Sequence, residues 1–136
     1  MPTTIYVDTS AIAKLFIAEN ETRDLQHWLT NQPEPRLVSS ALLAVELLRL
    51  MRLIDEASVA SAERFLADDV DIVDILPPML ADAAVVEPAR LRTLDAIHLA
   101  TARDLEPAID VVLTYDKLLA EAARTAGLAV ASPGQA

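Results

Sequence analysis

The sequence predicts an α/β fold built on a parallel sheet, and three observations carry that prediction. Short apolar, often β-branched runs alternate with longer amphipathic stretches along the chain, which is the pattern of successive strand-helix-strand units. No internal repeat or low-complexity linker interrupts the alternation, and the length suits a single domain, 1–136, with one real core. Acidic residues recur at or just beyond the apolar runs, where the crevice outside the carboxyl ends of parallel strands would lie.

Ile5 to Val7 is the first strand, and Ser10 is placed to cap a short helix through Ile17. Glu21 to Asn31 is a second helix, with Leu25, Trp28 and Leu29 on one face, and Pro33 and Pro35 end it. Arg36 to Ser39 is a strand. Ser40 caps a helix from Ala41 to Leu53 whose apolar stripe is Leu43, Leu47, Leu50 and Ile54. Ser58 to Ala67 is helical, Val70 to Ile75 is a strand with Val70, Ile72 and Ile75 as its apolar positions, and Pro78 to Val86 is a further helix. Thr93 caps a helix reaching Arg103, and Val111 to Thr114 is a buried strand. Lys117 to Ala126 is a helix stopped by Gly127, and Ala129 to Ala131 is a last short strand.

Composition bounds what such a domain can do. With 53% hydrophobic residues and a mean hydropathy of +0.31, the chain is not disordered. It has no Cys, which excludes disulfides, thiol catalysis and zinc on thiolates, and fits a reducing compartment. The N-terminus enters the first strand with no basic region or apolar block, and no apolar run is long enough to span a bilayer, so the expectation is a soluble cytoplasmic protein. A net charge of -10 opposes non-specific attraction to phosphate. The cations are Arg-rich, so a phosphate contact would use the guanidinium fork.

The acids are the chemically informative residues. Asp8 ends the run Ile5, Tyr6, Val7; Glu46 follows Leu42 to Val45; Asp95 opens the stretch Ala96 to Ala100; and Asp116 closely follows Val111 to Leu113. Gathering like charges beside apolar segments is unfavourable unless protons or a divalent cation compensate, and hard oxygen donors suit Mg²⁺ or Mn²⁺. Asp8 and Asp116 fall beyond strand ends while Glu46 and Asp95 fall on helices, so one crevice can collect all four. Any one of these residues reads equally well as a helix cap or turn former. The four together favour a shared site.

The segments Val7-Asp8-Thr9-Ser10-Ala11, Val45-Glu46-Leu47-Leu48-Arg49, Leu94-Asp95-Ala96-Ile97-His98-Leu99-Ala100 and Leu113-Thr114-Tyr115-Asp116 resemble the four acidic motifs of the PIN-domain ribonucleases, in particular the VapC toxins of bacterial toxin-antitoxin pairs. The resemblance covers essentially the whole chain, including the tail Leu118 to Gly134, with no departure at the acids. It implies a three-layer α/β/α sandwich around a parallel, Rossmann-like sheet and Mg²⁺- or Mn²⁺-dependent endonucleolytic cleavage of RNA. It also implies neutralisation by a cognate VapB-like antitoxin and permits a homodimer or a toxin-antitoxin hetero-oligomer. A metal on such carboxylates activates a water and neutralises the scissile phosphate without a protein nucleophile. Asp8 and Asp95 are the first choices as direct ligands, Asp116 binds directly or through water, and Glu46 acts through water or orients the attacking one. Thr9, Ser10 and Thr114 carry hydroxyls beside these acids that would hold waters or carboxylate rotamers, or simply cap and turn the chain.

The remaining polar residues take simpler readings. His98, one turn after Asp95, faces the site or is a packed core histidine, the second being the commoner case. His27 is a surface residue and Trp28 a core or partner-facing aromatic. Arg49 and Arg92, one turn from Glu46 and Asp95, form ion pairs or reach phosphate at the rim, with the ion pair favoured for Arg92. Asp68, Asp69, Asp71 and Asp74 form a solvated edge. Lys14, Arg49, Arg52 and Lys117 would have to focus a positive field for RNA, and the helices Glu21 to Asn31 and Ala41 to Leu66 would supply the antitoxin groove. A phosphoryl-acceptor domain would need a paired acid near the first strand and a late Lys, and a haloacid-dehalogenase-type phosphatase would need Asp where Ser10 stands. A non-catalytic RNA- or protein-binding module remains as the alternative.

Overall fold

Five short strands carry the architecture in the computed structural model, which describes residues 1–135. They are β1 (Thr3–Val7), β2 (Pro35–Ser40), β3 (Val70–Val73), β4 (Val111–Leu113) and β5 (Val130–Ala131). Every neighbouring pair is parallel, in the order β3-β2-β1-β4-β5. The chain therefore lays down β1, β2 and β3 in one direction, then crosses back to place β4 and β5 on the other side of β1. The β1/β4 boundary is thus a topological switch point, where connections leave in opposite directions and a crevice opens beyond the strand ends.

Helices α1 (Thr9–Phe16), α2 (Thr22–Thr30), α3 (Leu42–Ile54), α4 (Val59–Asp68), α5 (Pro77–Val85), α6 (Thr93–Asp104) and α7 (Lys117–Thr125) connect the strands, with a single 3₁₀ turn at Glu56–Ser58. The alternation of β1 explains the layering. Ile5 and Val7 pack with Ile12 of α1, Leu25 of α2, Leu43, Leu47 and Met51 of α3 and Ala62 of α4. Tyr6 turns to the opposite face, with Leu99 and Ala102 of α6 and Leu119, Ala122 and Ala123 of α7. Each fully buried Ile or Leu contributes roughly 1.5 to 3 kcal/mol, and a strand apolar on both faces demands helices on both. The result is the α/β/α sandwich. Among the described residues, no helix is long and apolar enough to cross a membrane.

Four local expectations are corrected. The cap of α1 is Asp8, not Ser10: the backbone is still extended at Asp8 (φ -108°, ψ 177°), and its side chain accepts from the Ala11 amide. Thr93 does not cap α6, because Arg92 holds the extended cap position (φ -63°, ψ 149°) and Thr93 is already helical. On α3 the buried residues are Leu43, Leu47 and Met51, the last packed in the same core as Ala62 of α4, while Ile54 at the helix end is exposed. Ser40 is not the cap of α3 either: Ala41 holds that position without a side-chain cap bond, and the Ser40 hydroxyl just before it accepts from the Leu42 amide at 3.0 Å. Asp68, Asp69, Asp71 and Asp74 are all exposed, as is His27, while Trp28 packs partly against the core.

The C-terminal segment braces the exit of β4. Ser132 Oγ donates to the Thr114 carbonyl, and Tyr115 Oη donates to the Pro133 carbonyl at 2.7 Å. Gly134 has φ +84°, and a Cβ there would lie 2.6 Å from Asp24 Oδ2, so this turn requires glycine.

Candidate active site

Asp8, Thr9, Ser10, Glu46, Arg92, Asp95, His98 and Asp116 line one open cavity of about 160 Å³ at the β1/β4 switch point. All four acids predicted from sequence meet there, delivered by separate segments: Asp8 after β1, Glu46 from α3, Asp95 from α6 and Asp116 after β4.

Asp8 is the most deeply set. Its Oδ1 accepts from Ser10 Oγ at 2.7 Å and from the Ala11 amide at 3.2 Å, while Oδ2 accepts from Thr114 Oγ1 at 2.7 Å. Burial pushes its carboxyl above the ordinary value, and the bonds from Thr114 and Ser10 offset only part of that. The two hydroxyls are themselves held. Ser10 Oγ accepts from the Tyr115 amide at 2.9 Å, and Thr114 Oγ1 accepts from the Asp116 amide at 3.1 Å. These short polar side chains lock the loop after β4 onto the start of α1. Cap and pocket readings of Asp8 are therefore both realised, and Asp116 repeats the pattern by capping α7 through Oδ1 to the Leu119 amide at 2.9 Å.

Glu46 is positioned from beneath. Its Oε1 accepts from Thr9 Oγ1 at 3.0 Å and lies 2.8 Å from His98 Nε2, and His98 Nδ1 lies 2.8 Å from Tyr6 Oη. Burial drives the Tyr6 phenol well above its usual pKa, so its hydroxyl stays protonated. The consistent assignment has Tyr6 O–H donating to Nδ1 and Nε2–H donating to Glu46. Burial opposes the Glu46 charge, yet the contacts to His98 and Thr9 outweigh it and hold the carboxyl below the ordinary value. Glu46 Oε2 keeps no protein partner among the described residues. Tyr6 was not singled out from sequence. A tyrosine between two core aliphatics on a central strand is a signal, because its hydroxyl needs a buried partner.

Asp95 and Asp116 are joined by Arg92, whose Nε lies 3.2 Å from Asp95 Oδ2 and whose Nη2 lies 2.5 Å from Asp116 Oδ2. Burial raises the Asp95 carboxyl above its ordinary value and the Asp116 charge adds to it, despite the nearby guanidinium.

The basic residues fall elsewhere than expected. Lys14 is buried, paired with Glu19 at 3.1 Å and Glu21 at 3.2 Å, and sits 4.7 Å from the centre of the Tyr115 ring. Its charge is thus spent within the fold, and it is absent from the cavity lining. Arg49 and Arg52 line a neighbouring apolar groove with Val45, Leu50, Leu53 and Leu94, and Lys117 is exposed in the first turn of α7. Arg49 makes no ion pair with Glu46, whose Oε1 is taken by His98 and Thr9. That groove involves α3 but not α2.

The donor set suits a hard divalent cation, since Asp8, Asp95, Asp116 and Glu46 offer carboxylate oxygens, while the hydroxyls of Thr9, Ser10 and Thr114 hold Glu46 and Asp8 in place. Among the described residues, no three acidic or imidazole groups are drawn together closely enough to grip an ion as they stand. The Arg92 guanidinium supplies positive charge between two of the carboxylates.

Known proteins share this architecture. The PIN domain family model matches residues 5–125. Ribonuclease VapC47 of Mycobacterium tuberculosis is 39% identical, the alignment covering 96% of this chain and 97% of that protein. The crystal structure of M. tuberculosis VapC20, a sarcin-ricin loop cleaving toxin, superposes with a TM-score of 0.75 at 20% identity, covering 95% of this chain and 99% of that one. A chain from a toxin-antitoxin complex of Klebsiella pneumoniae gives 0.70 at 19% identity, covering 97% and 99%. Sequence similarity over nearly the whole length, a matching family model and the shared sheet place the chain in one family: it belongs to the PIN-domain proteins, among the VapC ribonucleases.

Proposed function

We propose that this protein is an endoribonuclease of the VapC type, the toxin of a toxin-antitoxin pair, acting in the cytoplasm with Mg²⁺ or Mn²⁺ and held in check by a VapB-like antitoxin. The observation that carries the proposal is the convergence of Asp8, Glu46, Asp95 and Asp116 on one cavity at the switch point. Asp8, Asp95 and Asp116 would hold the metal. When bound, the ion supplies an activated water and neutralises charge on the scissile phosphate.

The chain's own residues do the rest. Thr114 and Ser10 fix both oxygens of Asp8, so the carboxylate keeps one rotamer as substrate enters. His98 and Thr9 hold Glu46 ionised through Oε1, leaving Oε2 to accept a proton or orient a water. With a surface at -10, phosphate is attracted to the cavity only where cations gather, whereas a basic partner is attracted generally. The apolar groove beside the cavity, lined by the exposed Val45 and Leu53 together with Arg49 and Arg52, suits an antitoxin segment that reaches on into the acidic pocket.

Purified chain freed of any partner is expected to cleave RNA with Mg²⁺ or Mn²⁺ and to stop in chelator. Undiminished cleavage in chelator would refute the metal mechanism. Expression from the native locus should copurify a small protein with a basic or Arg-bearing tail that inhibits cleavage; a chain purified alone, active yet harmless to cells, would remove the toxin reading.

A further inference from the structure

We propose that Arg92 is a displaceable internal cation: its guanidinium holds Asp95 and Asp116 together until a divalent ion takes its place, so the chain sets its own metal affinity. The inference rests on the metal reading above and concerns a residue that the reading leaves without a task.

Arg92 pairs two carboxylates from different elements, Asp95 in the first turn of α6 and Asp116 at the cap of α7, and both contacts fall on Oδ2. Those two oxygens converge on a single positive group, so a metal ion drawing on both acids competes for the same lone pairs. The partners are sheltered, with side chains only 14% and 17% exposed, whereas the Arg92 side chain is 76% exposed. The carboxylates therefore feel their mutual repulsion strongly, while the guanidinium returns to water easily.

Beyond the more distant attraction of Glu46, these two carboxylates alone retain it. Among the described residues, the Arg92 side chain makes no hydrogen bond beyond those to Asp95 and Asp116. Its backbone occupies the extended cap position of α6, so the side chain can swing away by rotamer change alone, without disturbing a helical turn. Asp8 contrasts with this pair, being held by neutral hydroxyls and an amide that need not leave when a cation enters. The geometry therefore separates a permanently set ligand, Asp8, from two ligands screened by a removable charge.

The test is Mn²⁺ binding by calorimetry to the full chain as wild type, Arg92→Gln and Arg92→Lys, alongside melting in chelator and in Mn²⁺. Arg92→Gln removes the competitor at nearly constant size and should bind Mn²⁺ roughly fivefold to thirtyfold more tightly, equivalent to about 1 to 2 kcal/mol at 1.4 kcal/mol per tenfold. Arg92→Lys, which keeps the charge but loses the fork, should fall between. In chelator, Arg92→Gln should melt below wild type, and Mn²⁺ should raise its melting temperature by more. Wild type that binds Mn²⁺ with Arg92→Gln equal or weaker would overturn the displacement while sparing the metal site. Failure of both proteins to bind Mn²⁺ would overturn the metal reading and this inference together.

Discussion

Glu46 Oε1 and His98 Nε2 lie 2.8 Å apart, and through the imidazole the pocket carboxylate is tied to Tyr6 on the central strand. A buried ring bonded at both nitrogens is a strut, and its loss leaves a phenol and a carboxylate short of partners. His98→Ala is expected to destabilise the fold by about 2 to 4 kcal/mol through cavity and unpaired polar groups. Tyr6→Phe should cost about 1 kcal/mol, the worth of one hydrogen bond, and reduce cleavage far less than Glu46→Gln. Urea unfolding and RNA cleavage of the three variants check this; a His98→Ala protein as stable as wild type would contradict it.

The pH dependence separates Glu46 from Asp8. A carboxyl held below its unfolded value contributes stability that is present above about 4.5, the ordinary Glu value, and is lost as pH falls through the folded value. The stability advantage of wild type over Glu46→Gln should therefore shrink on acidification below that point. Asp8 has the opposite sign. Its raised folded value makes its charge unfavourable, a penalty absent below the unfolded value of 3.8 that grows as pH rises towards the folded one. The gap between Asp8→Asn and wild type should accordingly move in the variant's favour over that range. Urea titrations across acid pH would show it, and parallel curves for the two variants would contradict the assigned shifts.

Asp95→Asn should stabilise the protein in chelator, because burial and Asp116 already disfavour its charge. The same change should weaken the stabilisation given by Mn²⁺, since a ligand that binds only the native state raises stability by mass action. Melting temperatures at neutral pH are the readout. A variant clearly less stable than wild type in chelator, with its Mn²⁺ response unchanged, would leave Asp95 as Arg92's ion-pair partner alone and no part of a metal site.

Much of this was legible in the sequence because it depends on local pattern. Alternating apolar runs foretell a parallel sheet, and an acid just past a strand falls at the crevice, which is why Asp8 and Asp116 could be placed. What depends on long-range encounter was not legible. Tyr6, His98 and Glu46 are far apart in the chain, and only the finished packing of β1 between α3 and α6 makes them a relay. Lys14 looked available to RNA because sequence does not reveal that Glu19 and Glu21 fold back over it. Caps fall one or two residues away from Ser10, Ser40 and Thr93, because a small polar side chain near a helix start does not fix where the backbone turns helical, and the structure places the caps at Asp8, Ala41 and Arg92.

The central claim is that the pocket acids act as one metal-binding catalytic unit, and one comparison tests it most directly. RNA cleavage in Mn²⁺ would be measured for wild type, Asp8→Asn, Asp95→Asn, Asp116→Asn and Asp71→Asn, each confirmed folded by its melting curve. Asp71 is the control: its side chain is 71% exposed on β3, with Arg36 at 3.6 Å, and its replacement should change stability by less than about 0.5 kcal/mol. The account predicts that each pocket variant loses cleavage by at least about a hundredfold, the scale of removing a catalytic group, while Asp71→Asn cleaves like wild type. Folded pocket variants that cleave as well as Asp71→Asn would contradict it.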